Sequence, residues 1–520
     1  MAATTKPTPL APGMEKTPFV RRLFATTSID AMRAQGRTSK LRRALRARDL
    51  IAVGLGTMIG GGIFTTIGPG VRLAGPAIII AFLLAGLASF FAALSYAELG
   101  AMVPIAGSAY TYAYATLGQL VAWIIGFALL FEYGISAAPV AQQFSSAFQG
   151  ALTSAGIALP HWAQTSNFMF HGPWWAFWQW DLAHSQYDII GALFVLLLSV
   201  LLCLGIRETA SANNVFVVLK ISALVVFVIA GISLFHPANL SPFVPQGWGS
   251  IKPFSGGGGK GVIPAAALVF FSYIGFDTAT TTAEECRNPQ RDVPVGVMGA
   301  LGIGTIIYCV VAVMLVGIVP WQKVDQNAAL ASAIAPLHNP FVSWTITMGV
   351  IAGTTSVALA SLLGQTRIFY VMSRDQMLPP FVSRIHPRFK TPALMTMITG
   401  CGVAILTLIV PLDQLLNLVN IGTLAAFIVV CAGVIFLRYK RPDIPRPFRS
   451  PFVPVFPAIG IVLSLTLVVF GLSRDTLIWF AGSLTVGLVI YFAYGFRKSR
   501  PDRQPIATEG ELTTPANAPT

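Results

Sequence analysis

Three glycines in a row, a lysine and two carboxylates are the groups in this chain whose types and spacing could do chemistry. The glycines stand in T-M-I-G-G-G-I-F, Thr57 to Phe64, inside an otherwise apolar run. Each of Gly60, Gly61 and Gly62 weakens a helix by roughly 1 kcal/mol relative to alanine. A helix broken there frees carbonyls before the break, near Thr57 and Met58, and N–H groups after it. The N–H groups open a new half-helix whose positive dipole end can hold a carboxylate, while the carbonyls can hold an ammonium group. One short stretch thus offers both halves of a receptor for a free amino acid. The alternative is close helix packing, for which glycine is common in membranes.

A second stretch of the same kind is F-S-Y-I-G-F-D, Phe271 to Asp277, with Gly275 and the ionisable Asp277 in mid-segment. Lys220 is flanked by V-F-V-V-L and I-S-A-L-V-V-F, and Glu132 also falls within an apolar run. An ionisable residue inside a membrane segment is costly, and a functional role is its default reading. Burial disfavours the ammonium form of Lys220, so its amine could release and regain a proton during a cycle. The alternative is a permanently charged lysine snorkelling to the interface, made difficult by a depth of roughly three helical turns.

The elements that position these groups follow from composition. Of the 520 residues, 55% are apolar and 10% charged, far below the roughly 25% charged of soluble domains. Charge-free runs long enough to cross a bilayer make this a polytopic helical membrane protein. Twelve spans are expected, near 50–72, 76–100, 119–150, 187–205, 210–235, 261–283, 295–319, 341–372, 392–410, 414–437, 452–471 and 476–496. A short amphipathic helix is expected over 107–118. The organisation is a cytoplasmic tail over 1–48 with a basic interfacial helix, a transmembrane domain over 49–497, and a cytoplasmic tail over 498–520. No cleavable signal peptide is expected, because the first apolar run begins only near Leu50.

Lys and Arg concentrate on one side of this topology, which places both termini in the cytoplasm. The formal charge of +14 has the same explanation and is no sign of nucleic-acid binding. The loop over 151–186 lacks Lys and Arg and is rich in Trp and His, as an outer loop is. Five cysteines without paired spacing point to neither disulfides nor a metal site, and no cofactor is implied. The two interrupted stretches fall in spans one and six. They occupy matching positions if spans one to five and six to ten are inverted repeats, which is the pattern of a midplane substrate site.

The chain resembles the amino acid–polyamine–organocation superfamily, and within it the bacterial cationic amino acid transporters. The resemblance runs over nearly all of 21–496. It rests on L-R-R-A-L-R-A-R-D-L followed by G-T-M-I-G-G-G-I-F, on S-Y-A-E-L-G-A-M-V-P-I-A-G-S-A-Y-T-Y-A-Y, on F-E-Y-G, on Y-I-G-F-D with A-E-E-C-R-N-P-Q-R-D-V-P, and on G-Q-T-R-I-F-Y-V-M-S-R-D-Q-M-L-P. It implies a five-plus-five inverted-repeat fold with two further helices, in the plasma membrane, and amino acid transport commonly driven by protons. On that template the substrate carboxylate meets Gly60, Gly61 and Gly62. The amino group meets carbonyls near Thr57, Met58, Phe271 and Ser272, and Phe276 closes over the substrate from outside.

The template also gives Lys220 the place of a sodium ion, bridging the broken first helix to Thr354, Thr355 and Ser356 in span eight. Glu132 and Thr354 line the site; Thr354, being small, leaves room for a long side chain. Glu132 could equally couple protons or sit in a satisfied polar cluster, and Asp277 organises the unwound backbone. Glu284, Glu285, Arg287, Arg291, Asp292, Arg367, Arg374 and Asp375 are expected as an inner gate or packing network, or in part as ordinary solvated charges. Cationic and small neutral substrates both remain open. So do proton symport, uncoupled exchange of amino acids or polyamines, and a transporter-like sensor. An enzyme is disfavoured by the lack of an H-E-x-x-H, G-x-S-x-G or paired-carboxylate motif.

Overall fold

The computed structural model describes residues 23–24, 26, 45–103, 108–154, 156–157, 159–170, 180–204, 210–249, 252–253, 259–281, 283, 286–386 and 391–498. The chain is helical. The first apolar run forms two short helices, α1 (Ala47–Met58) and α2 (Ile63–Ala74), and continues into α3 (Ile78–Met102). There follow α4 (Ser108–Thr116), the long α5 (Gln119–Ser154), α6 (Ile189–Cys203) and α7 (Ala210–Gly231). The second interrupted segment comprises α8 (Val262–Val269), a tight turn over Phe270–Tyr273, and the single turn α9 (Thr278–Thr281). The remainder is α10 (Pro289–Ile318), α11 (Ala329–Ile334), α12 (Pro340–Arg374), α13 (Ala393–Ile409), α14 (Leu412–Lys440), α15 (Val455–Thr466) and α16 (Arg474–Ile490).

Helix starts follow local chemistry. The Asn339 side chain accepts from the N–H groups of Phe341 and Val342, with Pro340 in the first helical position, so α12 begins there. Asp188 caps α6 through the Gly191 N–H at 2.8 Å, and Ser473 caps α16 through Thr476. One small ribbon departs from the helical pattern. Within the Trp- and His-rich loop, β1 (Asn167–Phe170) pairs antiparallel with β2 (Trp180–Gln186).

Among the described residues, eight helical segments are long and apolar enough to cross a membrane; α6, α13 and α15, the last with its continuation to Gly471, are apolar but shorter. The protein is therefore an integral membrane protein. The twelve expected spans do not all emerge by length. The broken first segment leaves two pieces of 12 residues each. Around the breaks, α10 packs on α3 and α1, α8 packs on α3 and α2, and α12 packs on α5 and α7.

Candidate functional site

The first break is real and tight. Helix α1 ends where Ile59 turns extended, and Gly60 takes φ +132°, a conformation side-chain-bearing residues rarely adopt. The backbone of α12 explains the closeness. A methyl group on Gly60 would lie 2.5 Å from the Gly353 carbonyl oxygen. One on Gly61 would meet Val357 at 2.7 Å and Val140 at 2.8 Å, and one on Gly62 would lie 2.5 Å from Ser272 Cα. Close packing is thus one reason for all three glycines. The N–H groups of Gly62, Ile63 and Phe64 nevertheless precede the first backbone bonds of α2, which run from Thr65 and Thr66 to the Gly62 carbonyl. These N–H groups open a helix directly after the break.

The second break lies directly against the first. Gly275 has φ +114°, and a methyl there would sit 2.8 Å from Thr57 Oγ1. The Thr57 hydroxyl reaches the Gly275 carbonyl at 2.8 Å and the Thr278 hydroxyl at 3.0 Å. On the other side of the break, Thr66 and Ser272 hydroxyls meet at 2.7 Å, and Thr66 also donates to the Gly62 carbonyl at 3.1 Å. Two hydroxyl stitches therefore hold the unwound segments together. Thr66 and Thr278 were not legible as site residues; they gain meaning only once the breaks face each other. The carbonyls of Phe271 and Ser272 accept from the Ile274 N–H and the Tyr308 hydroxyl, at 3.2 and 2.8 Å. Met58 is fully buried, its side chain against Gly304.

Lys220 is fully buried on α7. Its ammonium donates to the Gly56 carbonyl at the end of α1 and to Ser356 Oγ at 3.0 Å on α12. It bridges the broken helix and α12, as the template implied, with Ser356 as its hydroxyl partner there. The hydroxyls of Thr354 and Thr355 donate instead into their own helix, each at 2.7 Å, to Val350 and Ile351. Snorkelling does not describe this geometry, because the amine ends inside the protein.

Glu132, 2% exposed, packs against Gly422 of α14, and its Oε2 has no hydrogen-bond partner. The Tyr133 hydroxyl reaches Asp277 at 3.4 Å, so Asp277 does tie the segment after the second break to α5. Phe276, which the resemblance places over the substrate, is fully buried. It follows Gly275, and its ring packs edge-on to Tyr96 at 5.8 Å and tilted to Phe427 at 5.3 Å. It lies in the half of the segment leading away from the loop that enters α8, with its ring held by α3 and α14. Phe271, on the other side of Gly275, is 4% exposed.

Glu284 and Glu285 lie outside the described residues. Arg367 is exposed, Asp292 accepts the Asn288 N–H at the start of α10, and Arg374 pairs with its neighbour Asp375 at 3.6 Å. Asp375, just past α12, also accepts the Tyr110 hydroxyl at 2.9 Å. Burial raises its carboxyl above the usual range, partly offset by Arg374 and Tyr110. The strongest described cluster at this end is one that sequence reading missed. Glu98, at the end of α3, receives both Arg438 Nε and Nη2, at 3.0 and 2.8 Å, and the Ser450 N–H at 2.8 Å. Arg446 Nε lies 3.4 Å away.

Two interrupted helices stitched face to face within a membrane bundle, with a buried lysine beside them, define a broken-helix membrane carrier. Residues 45–493 match the family described as amino acid permease, and the chain belongs to that family. It is 40% identical over 482 residues to the branched-chain amino acid permease BcaP of Bacillus subtilis, covering 92% of this chain and 98% of that one. It is 38% identical over 478 residues to a methylthioribose transporter of the same organism, again over 92% and 98%. A vacuolar cationic amino acid transporter 4 of Arabidopsis thaliana is 36% identical over 409 residues, 78% of this chain and 64% of that one. The protein is a permease and not an enzyme.

Proposed function

We propose that this permease is a proton-coupled symporter that brings amino acids into the cell by alternating access at the two helix breaks. The reading takes twelve spans in a five-plus-five inverted repeat plus two helices, with both termini cytoplasmic and the β1–β2 ribbon outside. The observation that carries it is Lys220. A fully buried ammonium joined to Gly56 and Ser356 does between α1 and α12 what a bound cation would do. Losing its proton removes that charge and weakens the bridge, so protonation and helix position become linked. The substrate carboxylate is assigned to the N–H groups opening α2, its ammonium to carbonyls at the breaks, and Phe271 rather than Phe276 to the outer side.

For the substrate, a bulky neutral amino acid such as leucine takes precedence over arginine. The likeness to BcaP extends over 98% of that protein, whereas the plant cationic transporter is matched over 64%. The test is uptake of labelled leucine, alanine and arginine into proteoliposomes, with and without an inward proton gradient. Leucine is expected to accumulate only with the gradient, and Lys220→Ala to abolish that accumulation. Gradient-independent exchange that survives Lys220→Ala would replace symport with uncoupled exchange. Accumulation of arginine alone would reverse the substrate assignment.

A further inference from the structure

At the end of the bundle bearing the β1–β2 ribbon, a cavity of about 510 Å³ opens among α2, α5, α8 and α14. Its lining holds two carboxylates, Asp188 and the exposed Asp413 at the start of α14, and two cations, Arg72 and Lys260. Acceptors gather on the wall made by α5 and α6. Gln142 is 6% exposed; its amide nitrogen is committed to Ser166 at 2.6 Å and to the carbonyls of Val410 and Thr407, at 2.8 and 3.0 Å. That fixes the amide orientation and leaves Gln142 Oε1 buried with no partner. Asp188 lines the same cavity. Ser145 and the Gly191 N–H both bond its Oδ1, at 2.6 and 2.8 Å, which leaves Oδ2 for a ligand.

The cations come from other elements. Arg72 lies near the end of α2 and Lys260 just before α8, and both line the cavity. The Gly261 N–H donates to the Leu73 carbonyl at 2.8 Å, which holds these two neighbourhoods side by side. Arg72 spends Nη1 on the Gln322 carbonyl, and a guanidinium has further donors to offer. The volume is within the range of small-molecule sites. Gln143, Ser146 and Asn327 also border a second cavity, of about 250 Å³, whose lining includes Phe64, two residues past Gly62. The two cavities thus adjoin, and the second reaches the first turn of α2.

We propose that this cavity is a second binding site, for a free zwitterionic α-amino acid, occupied before the substrate reaches the broken helices. Arg72 and Lys260 take the carboxylate; Gln142 Oε1 and the Asp188 carboxylate take the ammonium. The substrate class rests on the transport reading above, and the test separates the two. Asn417, half-buried on the cavity wall, is changed to cysteine, with Gln326→Cys as a second reporter should the first variant not fold. Modification by a membrane-impermeant maleimide is followed against leucine concentration, with the parent chain as the blank for native cysteines.

Leucine is expected to slow the modification, while leucinamide and N-acetyl-leucine, each lacking one charge, do not. Adding Arg72→Gln and Lys260→Gln is expected to move the half-protecting leucine concentration upward by about tenfold or more, the scale of a lost charge-assisted contact. No protection by leucine, equal protection by either analogue, or an unshifted concentration in the double variant each overturns the site. Protection without uptake would leave this site standing and remove the transport reading; uptake without protection would do the reverse.

Discussion

Individual residues here do two jobs, and the glycines show how to tell them apart. Gly60 is required by its φ of +132° and by the Gly353 backbone. Gly60→Ala is expected to destabilise by well over 1 kcal/mol, since a left-handed glycine under close contact cannot accept a side chain without strain. Gly402→Ala, on α13 with open space around it, is the control, expected to be neutral or stabilising by up to about 1 kcal/mol. Thermal unfolding in detergent checks both; equal loss at the two sites would mean the break is not the tight point it looks. Asp375 offers a pH test. Its burial raises the folded-state carboxyl, so the protonated form favours the fold. That stability is fully present below the ordinary carboxylate range and is lost as pH rises through the raised value. Asp375→Asn, which keeps a partner for Tyr110, is expected to flatten the dependence of unfolding temperature on pH and to stabilise the protein at neutral pH. An unchanged pH profile would count against it.

Among elements, the decisive contacts are between segments far apart in the chain. Thr57 of α1 holds Gly275, and Thr66 of α2 holds Ser272, so each half of the first broken helix is tied to the second. Glu98 does the same for the last helices. It secures the end of α3 to Arg438 of α14, and to Arg446 and Ser450 in the connection to α15. Arg446 further donates to the carbonyls of Leu437 and Arg441, at 3.0 and 2.8 Å, closing the end of α14. Glu98→Gln leaves two guanidinium groups without their carboxylate, one of them 4% exposed. Breaking such a buried cluster from one side costs roughly 3 kcal/mol. The expected result is a clear drop in unfolding temperature; a shift no larger than that of an exposed pair would show the cluster to be surface-like.

Across the whole molecule, coupling needs one group that senses both the proton and the helix breaks. Lys220 is the group proposed for that task, because α7 places it against the end of α1 and against α12 at once. Loss of gradient-driven leucine accumulation in Lys220→Ala is therefore a prediction about the bundle and not about one hydrogen bond. On the proposed mechanism, removing the bridge frees α1 and α12 to move independently of the proton. If accumulation persists in that variant, coupling resides elsewhere, and Glu132 with its unpartnered oxygen is the next group to test.

Sequence alone determined the membrane class, the places of the two breaks and the buried lysine. Apolar length, consecutive glycines and an isolated charge are local signals that no tertiary contact can disguise. It also indicated that Lys220 would bridge the first helix and span eight, through resemblance rather than through spacing. Tertiary structure decided what depends on facing surfaces. It turned Phe276 toward Tyr96 and Phe427 and made Ser356 the hydroxyl partner of Lys220 on α12. It brought Glu98, Arg438 and Arg446 together in one charge cluster. A one-dimensional pattern places a residue along its helix. Which neighbour it meets is set by how helices more than 200 residues apart, such as those of Thr57 and Gly275, are brought into contact.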